Sequence, residues 1–166
     1  AKLAGGGSLM DVGIYMLQAA RYISGQEPVE INAQMYSTPG DPRFKEVEEN
    51  ILFQLRFPGG VLANCSSSYG HSGVNRYRAI GTKGWLELDP ATSYTGLRLR
   101  LRKGNIIEEH TLPQVDHFAA EMDHFSEAIL NNAEIRTPGE DGLQDVKLMM
   151  AIYQAARTGR AVRIES

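Results

Sequence analysis

Between residues 29 and 112, turn residues divide the sequence into seven short strand-like segments. In the clearest of these, residues 97–102, leucines alternate strictly with arginines, as in a strand with one apolar and one charged face. Pro58-Gly59-Gly60 and Lys103-Gly104-Asn105 supply turns between neighbouring segments. The series predicts a meander of mostly antiparallel strands. The predicted strands cover residues 29–37, 50–57, 61–69, 76–81, 84–88, 97–102 and 106–112, followed by a short final strand at 161–164.

Helical patterns flank this series at residues 8–24, 116–131 and 141–158. In the first, Ser8 and Asp11 have the spacing of a capping box, and Gly25 marks the end,. Its apolar residues lie almost all round, which predicts burial on most sides. The second helix has an apolar stripe formed by Phe118, Met122, Phe125 and Ile129. The predicted inward face of the third helix consists of Val146, Met149, Met150, Tyr153 and Ala156. Helices around a strand meander predict an α+β fold in two layers, a large open sheet with helices packed on one face.

The bulk composition narrows the class of protein. A chain of 166 residues that is 42% hydrophobic is expected to form one domain over 1–166. Its 17 basic and 20 acidic residues are interspersed and give a net charge of -3, so neither nucleic acid nor a membrane is expected as a partner. No apolar stretch approaches the roughly 20 residues that span a bilayer, which predicts a soluble chain.

Cysteine and histidine chemistry have little support. The single cysteine, Cys65, excludes an internal disulfide and a multi-cysteine zinc site, and its apolar surroundings predict a buried, inert thiol,. The four histidines contain no His-x-x-x-His pair, so no metal is expected.

The candidate catalytic residues are Asp11 and Tyr15. With Gln18 and Tyr22 they follow a helical spacing, as a polar and aromatic stripe on an otherwise apolar helix,. The Tyr15 phenol could exchange a proton with a hydroxyl or carbonyl, and the Asp11 carboxylate could hydrogen-bond the substrate. Spacing alone favours plainer roles, a capping box for Asp11 and core packing for Tyr15.

A glycine run, residues 5–7, precedes this helix. Glycines at a helix N-terminus can cradle a phosphate. The run matches neither the dinucleotide fingerprint nor the P-loop, and no strand precedes it in this chain,. A tight turn that docks the helix is the better interpretation.

Residues 4–15 read Ala-Gly-Gly-Gly-Ser-Leu-Met-Asp-Val-Gly-Ile-Tyr, which closely resembles the Gly-Gly-Gly-x-Leu-x-Asp-x-Gly-x-His/Tyr motif of the Gfo/Idh/MocA oxidoreductase superfamily. Further segments are similar to the glucose-fructose oxidoreductase branch: residues 41–48, 67–69, 89–92, 137–146 and 155–160. The resemblance covers nearly the whole chain and corresponds to the C-terminal domain of such enzymes.

The resemblance implies an oxidoreductase that transfers hydride at a sugar or polyol hydroxyl or carbonyl. Tyr15 stands at the family's catalytic His/Tyr position, and Asp11 at its substrate-orienting carboxylate. NADP or NAD would be bound mainly by an N-terminal Rossmann domain that this chain lacks, so the chain alone is expected to be inactive.

The partners of the chain would be that Rossmann domain, the substrate, and further copies of the chain through the open sheet face. The alternative is a non-catalytic oligomerisation module. The compartment stays open: cytoplasmic by default, or periplasmic if an export signal lies upstream.

Overall fold

The structure, a computed structural model, describes residues 5–165. The described chain forms two compact units, one made of residues 5–72 and 140–165, the other of residues 73–139. The α+β class and the antiparallel pairing are confirmed. The strands form two four-stranded sheets, where the sequence predicted one large sheet. This difference arises because the strands Leu62–Ser68 and Tyr77–Gly81 do not pair with each other.

The secondary structure follows the predicted order closely. A π-helical turn, Leu9–Gly13, leads into α1, Ile14–Ser24; α2 is His117–Asn131 and α3 is Gly139–Thr158. A short 3-10 turn, Pro42–Phe44, precedes the second strand. The strands are β1 Glu30–Tyr36, β2 Asn50–Arg56, β3 Leu62–Ser68, β4 Tyr77–Gly81, β5 Gly84–Leu88, β6 Arg98–Lys103, β7 Ile106–Thr111 and β8 Val162–Arg163.

The first unit is built on a sheet with the order β3-β2-β1-β8. Alternation along β2 buries Ile51, Phe53 and Leu55 and leaves Leu52 and Gln54 on the other face. The buried face joins apolar residues from the helices, so the helices of this unit cover one side of the sheet. The core cluster consists of Leu9, Leu17, Ile31, Ile51, Phe53, Leu55, Phe57, Leu148, Met149, Ile152, Tyr153 and Ala155.

The second unit contains the sheet β4-β5-β6-β7. Its register places the arginines of β6 on the face that carries Trp85 and Glu87 of β5. Glu87 is only 3% exposed and pairs with Arg78 and Arg100, whose guanidiniums also lie 4.7 Å and 5.9 Å from the centre of the Trp85 ring. The charged face predicted for this sheet therefore contains its own network of ion pairs and cation-π contacts.

The helices are less buried than their sequences predict. In α2 the whole predicted stripe, from Phe118 to Ile129, is more than half exposed. In α3, Met149 and Tyr153 are buried as predicted, but Val146 and Met150 are exposed. The first helix also leaves Val12 and Ile23 partly exposed, so the prediction of burial on most sides is wrong. Only the side of that helix facing the sheet contributes to the core. No helix within residues 5–165 is long and apolar enough to cross a membrane.

Cys65 lies on the helix-covered face of β3, opposite Phe53 of β2. Its thiol is 3.7 Å from the Met16 carbonyl oxygen, and burial raises the pKa of Cys65 to about 12. Because the thiolate is the reactive form, we expect very slow reaction with a disulfide reagent at pH 8 in the folded chain and rapid reaction in urea. Rapid labelling of the folded chain would contradict the buried position. A time course of thiol labelling with and without urea measures this.

An ion-pair network joins α1 to α3. Arg21 contacts Glu27 at 2.7 Å, Asp141 at 2.7 Å and Asp145 at 2.6 Å, and Asp145 is 2% exposed. Gln18 donates to both aspartates of this network. The network fixes the face of α1 that turns toward α3.

The Arg21 network predicts a pH-dependent contribution to stability. The hydrogen bond from Arg21 holds the pKa of Asp141 below its usual range. The ionised carboxylate therefore stabilises the fold above the ordinary pKa of about 3.9, and this contribution is lost as the pH falls through the folded-state value. We expect Asp141→Asn to destabilise the chain at pH 6 and progressively less below about pH 4. Urea unfolding across this range measures it, and a pH-independent difference would contradict it.

Candidate functional site

Asp11 lies in the middle of the π-helical turn that begins the first helix. Single π-turns are uncommon and occur frequently at functional sites. Ser8 occupies the N-cap position but makes no capping hydrogen bond; its hydroxyl instead lies near the Ser67 carbonyl and hydroxyl oxygens. The predicted capping box of Ser8 and Asp11 is therefore wrong, and the Asp11 side chain is available for another contact.

That contact is with Tyr69, the residue that follows β3. The Tyr69 phenol donates a 2.7 Å hydrogen bond to Oδ2 of Asp11. The amide of Tyr69 in turn donates to the Glu49 carbonyl oxygen at 3.0 Å, which fixes this end of the strand. Asp11 remains exposed, so its carboxylate is oriented by one partner while still open to a ligand.

The Asp11–Tyr69 contact changes the titration of the phenol. Burial and the hydrogen bond to Asp11 raise the pKa of Tyr69 to about 12. The neutral phenol therefore contributes to folding below its ordinary pKa of about 10, and this contribution is lost as the pH rises through about 12,. We expect Asp11→Asn to lower the midpoint but not to restore the ordinary value, because burial remains. NMR of ¹³Cζ-labelled tyrosine, assigned with Tyr69→Phe, measures the midpoint, and an unchanged value in Asp11→Asn would contradict the contact.

Tyr15 lies one turn beyond Asp11, in the first turn of α1, and its side chain is 51% exposed. It is therefore not the core tyrosine that spacing alone allowed. The remaining members of the predicted stripe have other surroundings: Gln18 bonds to the aspartates of α3, and Tyr22 is 88% exposed. Asp11 and Tyr15 remain as candidates, with Tyr69 added.

A close contact between the first helix and β3 holds these groups in place. A methyl group on Gly13 would lie 2.7 Å from the Ser67 hydroxyl and 3.1 Å from the Leu9 side chain. Glycine at this position thus allows the π-helical turn to pack directly on the strand that ends at Tyr69.

The glycine run does not form a phosphate site. A Cβ on Gly7 would lie 2.2 Å from a carboxylate oxygen of Glu48, and Oε1 of Glu48 accepts a 2.8 Å hydrogen bond from the amide of Leu9. An anionic side chain therefore lies where a helix N-terminus would otherwise receive a phosphate. These residues do not fit the pyrophosphate of a dinucleotide, and the docking turn stays a prediction.

The histidines have separate contacts. His110 lies 3.3 Å from Glu108, and His124 accepts from the Arg136 amide at 3.1 Å. No group of three or more His, Cys, Asp or Glu side chains within residues 5–165 could hold a metal ion.

Sequence reasoning missed Tyr69 and Glu48. Both lie far along the chain from the helix that they contact, by 58 residues for Tyr69 and 39 for Glu48. Both residues lie in segments that resemble the family, 41–48 and 67–69, but a resemblance of this kind does not indicate a contact with the first helix.

The two antiparallel sheets and their helices define an α+β domain of an oxidoreductase family. Residues 1–87 match the model of the GFO/IDH/MocA C-terminal domain, and the chain belongs to this family.

Two curated relatives illustrate the similarity. D-xylose 1-dehydrogenase [NADP(+)] of Haloarcula marismortui is 30% identical over 99% of this chain and 46% of the relative. D-glucoside 3-dehydrogenase of Escherichia coli is 26% identical over 98% of this chain and 50% of the relative. The chain spans about half the length of such relatives.

Solved structures extend the comparison. Aldose-aldose oxidoreductase from Caulobacter crescentus, complexed with glycerol, is 52% identical and superimposes with a TM-score of 0.92 over 98% of this chain and 49% of that chain. A 3-ketoreductase from Actinomadura kijaniata, in complex with NADP and TDP-benzene, is 25% identical with a TM-score of 0.78 over 91% of this chain and 46% of that chain.

Proposed function

We propose that this chain is the substrate-side domain of an NADP- or NAD-dependent oxidoreductase that transfers hydride at a hydroxyl or carbonyl of a sugar or polyol. The observation that carries the proposal is the exposed Asp11 carboxylate, oriented by Tyr69 one helical turn from the exposed phenol of Tyr15. The relatives named above, sugar dehydrogenases and an aldose oxidoreductase, support this substrate class. A closer correspondence to glucose-fructose oxidoreductase is part of the same proposal.

The chain's own residues would bind and exchange a proton. As the phenolate, Tyr15 would accept the proton of the reacting hydroxyl during oxidation, and as the neutral phenol it would donate a proton to the carbonyl oxygen during reduction. The Asp11 carboxylate would accept a hydrogen bond from a neighbouring hydroxyl of the sugar and so hold the reacting carbon in place. Because Glu48 occupies the helix N-terminus, we propose that the cofactor is bound by a Rossmann domain outside this chain, and that the chain alone is inactive.

The test uses the protein extended by its upstream coding sequence. Reduction of NADP and NAD is measured with a panel of aldoses and polyols, for the wild type and for Asp11→Asn. We expect turnover with at least one sugar and a large rise in KM in the variant. Asp41→Asn, which changes another carboxylate of the same unit, serves as the matched control. An extended protein that reduces neither cofactor with any substrate would refute the proposal.

The second candidate function is subunit assembly, favoured by the uncovered face of the first sheet. Its exposed residues are mainly neutral, with Gln34, Leu52 and Asn64 on neighbouring strands. The charged residues on the described strands of this face are Glu30, Arg56, which pairs with Glu30 at 3.0 Å, and Arg163 of β8, which lies opposite Glu30. Few charges are typical of the centre of an interface, so we propose that homo-oligomers form through this face.

Light scattering of the extended protein tests the assembly proposal. We expect an oligomer that Leu52→Glu dissociates, while Leu130→Glu, a change at an exposed leucine of α2, leaves its mass unchanged. A wild-type monomer at high concentration would refute the proposal.

A further inference from the structure

Glu48 is a buried carboxylate that neither substrate binding nor proton transfer uses. It lies two residues before β2 and is 6% exposed. Its Oε1 accepts from the Leu9 amide at 2.8 Å, and the phenol of Tyr153 lies 3.0 Å and 3.1 Å from its two oxygens. Its backbone carbonyl accepts from the Ser8 amide at 3.4 Å. Glu48 thus links the start of the first helix to β2 and α3.

Glu48 performs the task that a capping residue normally performs. A helix begins with amides that have no partner within the helix, and a side-chain oxygen usually accepts from one of them. Here Ser8 makes no such bond, and the oxygen comes from Glu48. A negative charge at this end is also favoured by the helix dipole.

The contact with Glu48 requires Gly7. A Cβ on Gly7 would lie 2.2 Å from Oε2 and 2.4 Å from the carboxyl carbon of Glu48, so any larger residue would displace the carboxylate. At the other end of the π-helical turn, Gly13 packs against Ser67. The turn that carries Asp11 is therefore held at its start by Glu48 and at its end by Ser67.

The Tyr153 phenol holds the other side of this carboxylate. Burial and the charge of Glu48 raise the pKa of Tyr153 above its ordinary range, so the phenol remains a donor at physiological pH. Arg157 lies over the Tyr153 ring at 5.3 Å. Tyr153 thereby fixes the carboxylate from α3.

We propose that Glu48 is a positioning residue of the active site: it sets where the π-helical turn begins and thereby directs the Asp11 carboxylate toward Tyr69 and the substrate. This inference rests on the proposed function. Glu48 is buried and distant in sequence from Asp11, and it would affect catalysis only by positioning Asp11.

The kinetic test compares Glu48→Ala, Glu48→Gln and Tyr153→Phe in the protein extended by its upstream sequence. Displacement of a catalytic group by about 1 Å costs on the order of 10²-fold in rate, and we expect a loss of this size in kcat/KM for Glu48→Ala. Glu48→Gln keeps an oxygen for the Leu9 amide and should recover much of the loss. Tyr153→Phe should give an intermediate loss.

Glu87→Gln is the matched control, because Glu87 is also a buried glutamate, 3% exposed, with its partners in the other unit. It should lower the melting temperature without changing kcat/KM. If Glu48→Ala lowers the melting temperature to the same extent and likewise leaves kcat/KM unchanged, Glu48 is merely structural and the proposal is overturned. If Glu48→Ala does not fold, the melting temperature and kcat/KM of Glu48→Gln and Tyr153→Phe are compared with those of Glu87→Gln in the same way.

A second readout does not depend on activity. The NMR titration of Tyr69 and the hydrogen exchange of the Leu9 amide are measured in the same variants. In both Glu48→Ala and Tyr153→Phe we expect faster exchange at Leu9. The Tyr69 midpoint is compared in Tyr153→Phe, which keeps the Glu48 charge that itself raises the pKa of Tyr69, and it should fall below the wild-type value because Asp11 is displaced. An unchanged Tyr69 midpoint in Tyr153→Phe, together with unchanged exchange at Leu9 in both variants, would overturn the proposal. A wild-type protein without sugar oxidation would refute the proposed function, whereas these two measurements would still decide whether Glu48 positions Asp11.

Discussion

Replacing Tyr15 by phenylalanine in the protein extended by its upstream sequence is expected to reduce kcat/KM for the sugar by about 10²–10⁴-fold, the usual contribution of a positioned general acid or base. The substitution removes only the hydroxyl. Because the Tyr15 side chain is 51% exposed, its loss should change the free energy of unfolding little. The effect should therefore appear in steady-state rates and not in a thermal melt.

The matched control is Tyr22→Phe on the same helix, since Tyr22 is 88% exposed and is given no role in the reaction. Its rates should equal those of the wild type. Equal rates in Tyr15→Phe as well would remove Tyr15 from the mechanism and leave Asp11 as a binding residue only.

The largest effect on stability is expected for Arg21→Met. Its partner Asp145 is 2% exposed, and removal of one member of a buried ion pair costs about 3–5 kcal/mol. In Arg21→Met the Asp145 carboxylate would stay buried with the neutral Gln18 amide as a hydrogen-bond partner and without its cation. Urea unfolding at pH 7 measures the loss. The double variant Arg21→Met/Asp145→Asn removes that charge too and should regain part of the stability.

Arg43→Met provides the comparison for this ion pair. Arg43 pairs with Asp41 at 2.7 Å, but its side chain is 70% exposed, so the substitution should change stability little. A loss below about 1 kcal/mol for Arg21→Met, as in exposed pairs, would show that the network between α1 and α3 is well solvated.

The strands were predictable to within one or two residues, because alternation and turn residues act locally. The division of the strands between two sheets was not predictable, because it depends on which strands pair with each other at long range. β3 pairs only with β2 among the described strands, and β4 only with β5. Turn residues around 70–75 mark a loop without indicating whether the sheet continues across it.

The candidate site was predictable in part. Asp11 and Tyr15 were identified from the motif, but the assumption of uniform helical spacing placed Gln18 and Tyr22 with them. Gln18 and Tyr22 do follow Tyr15 at α-helical spacing, but Gln18 bonds to the aspartates of α3 and Tyr22 is 88% exposed, and spacing alone cannot predict such long-range surroundings. The capping prediction failed for another reason: a long-range carboxylate, Glu48, occupies the amide that a local cap would have used.

The first unit is built from two separate segments of the chain, and this affects folding during translation. Its core takes Leu9, Ile51 and Phe53 from the first 72 residues, but Leu148 and Ile152 come from α3. On a ribosome, residues 73–139 emerge before α3 does, so the second unit has its full sequence while the first still exposes part of its apolar core. A nascent chain therefore carries the candidate residues Asp11, Tyr15 and Tyr69 on an unfinished core, and a stop codon before α3 would leave that core permanently open.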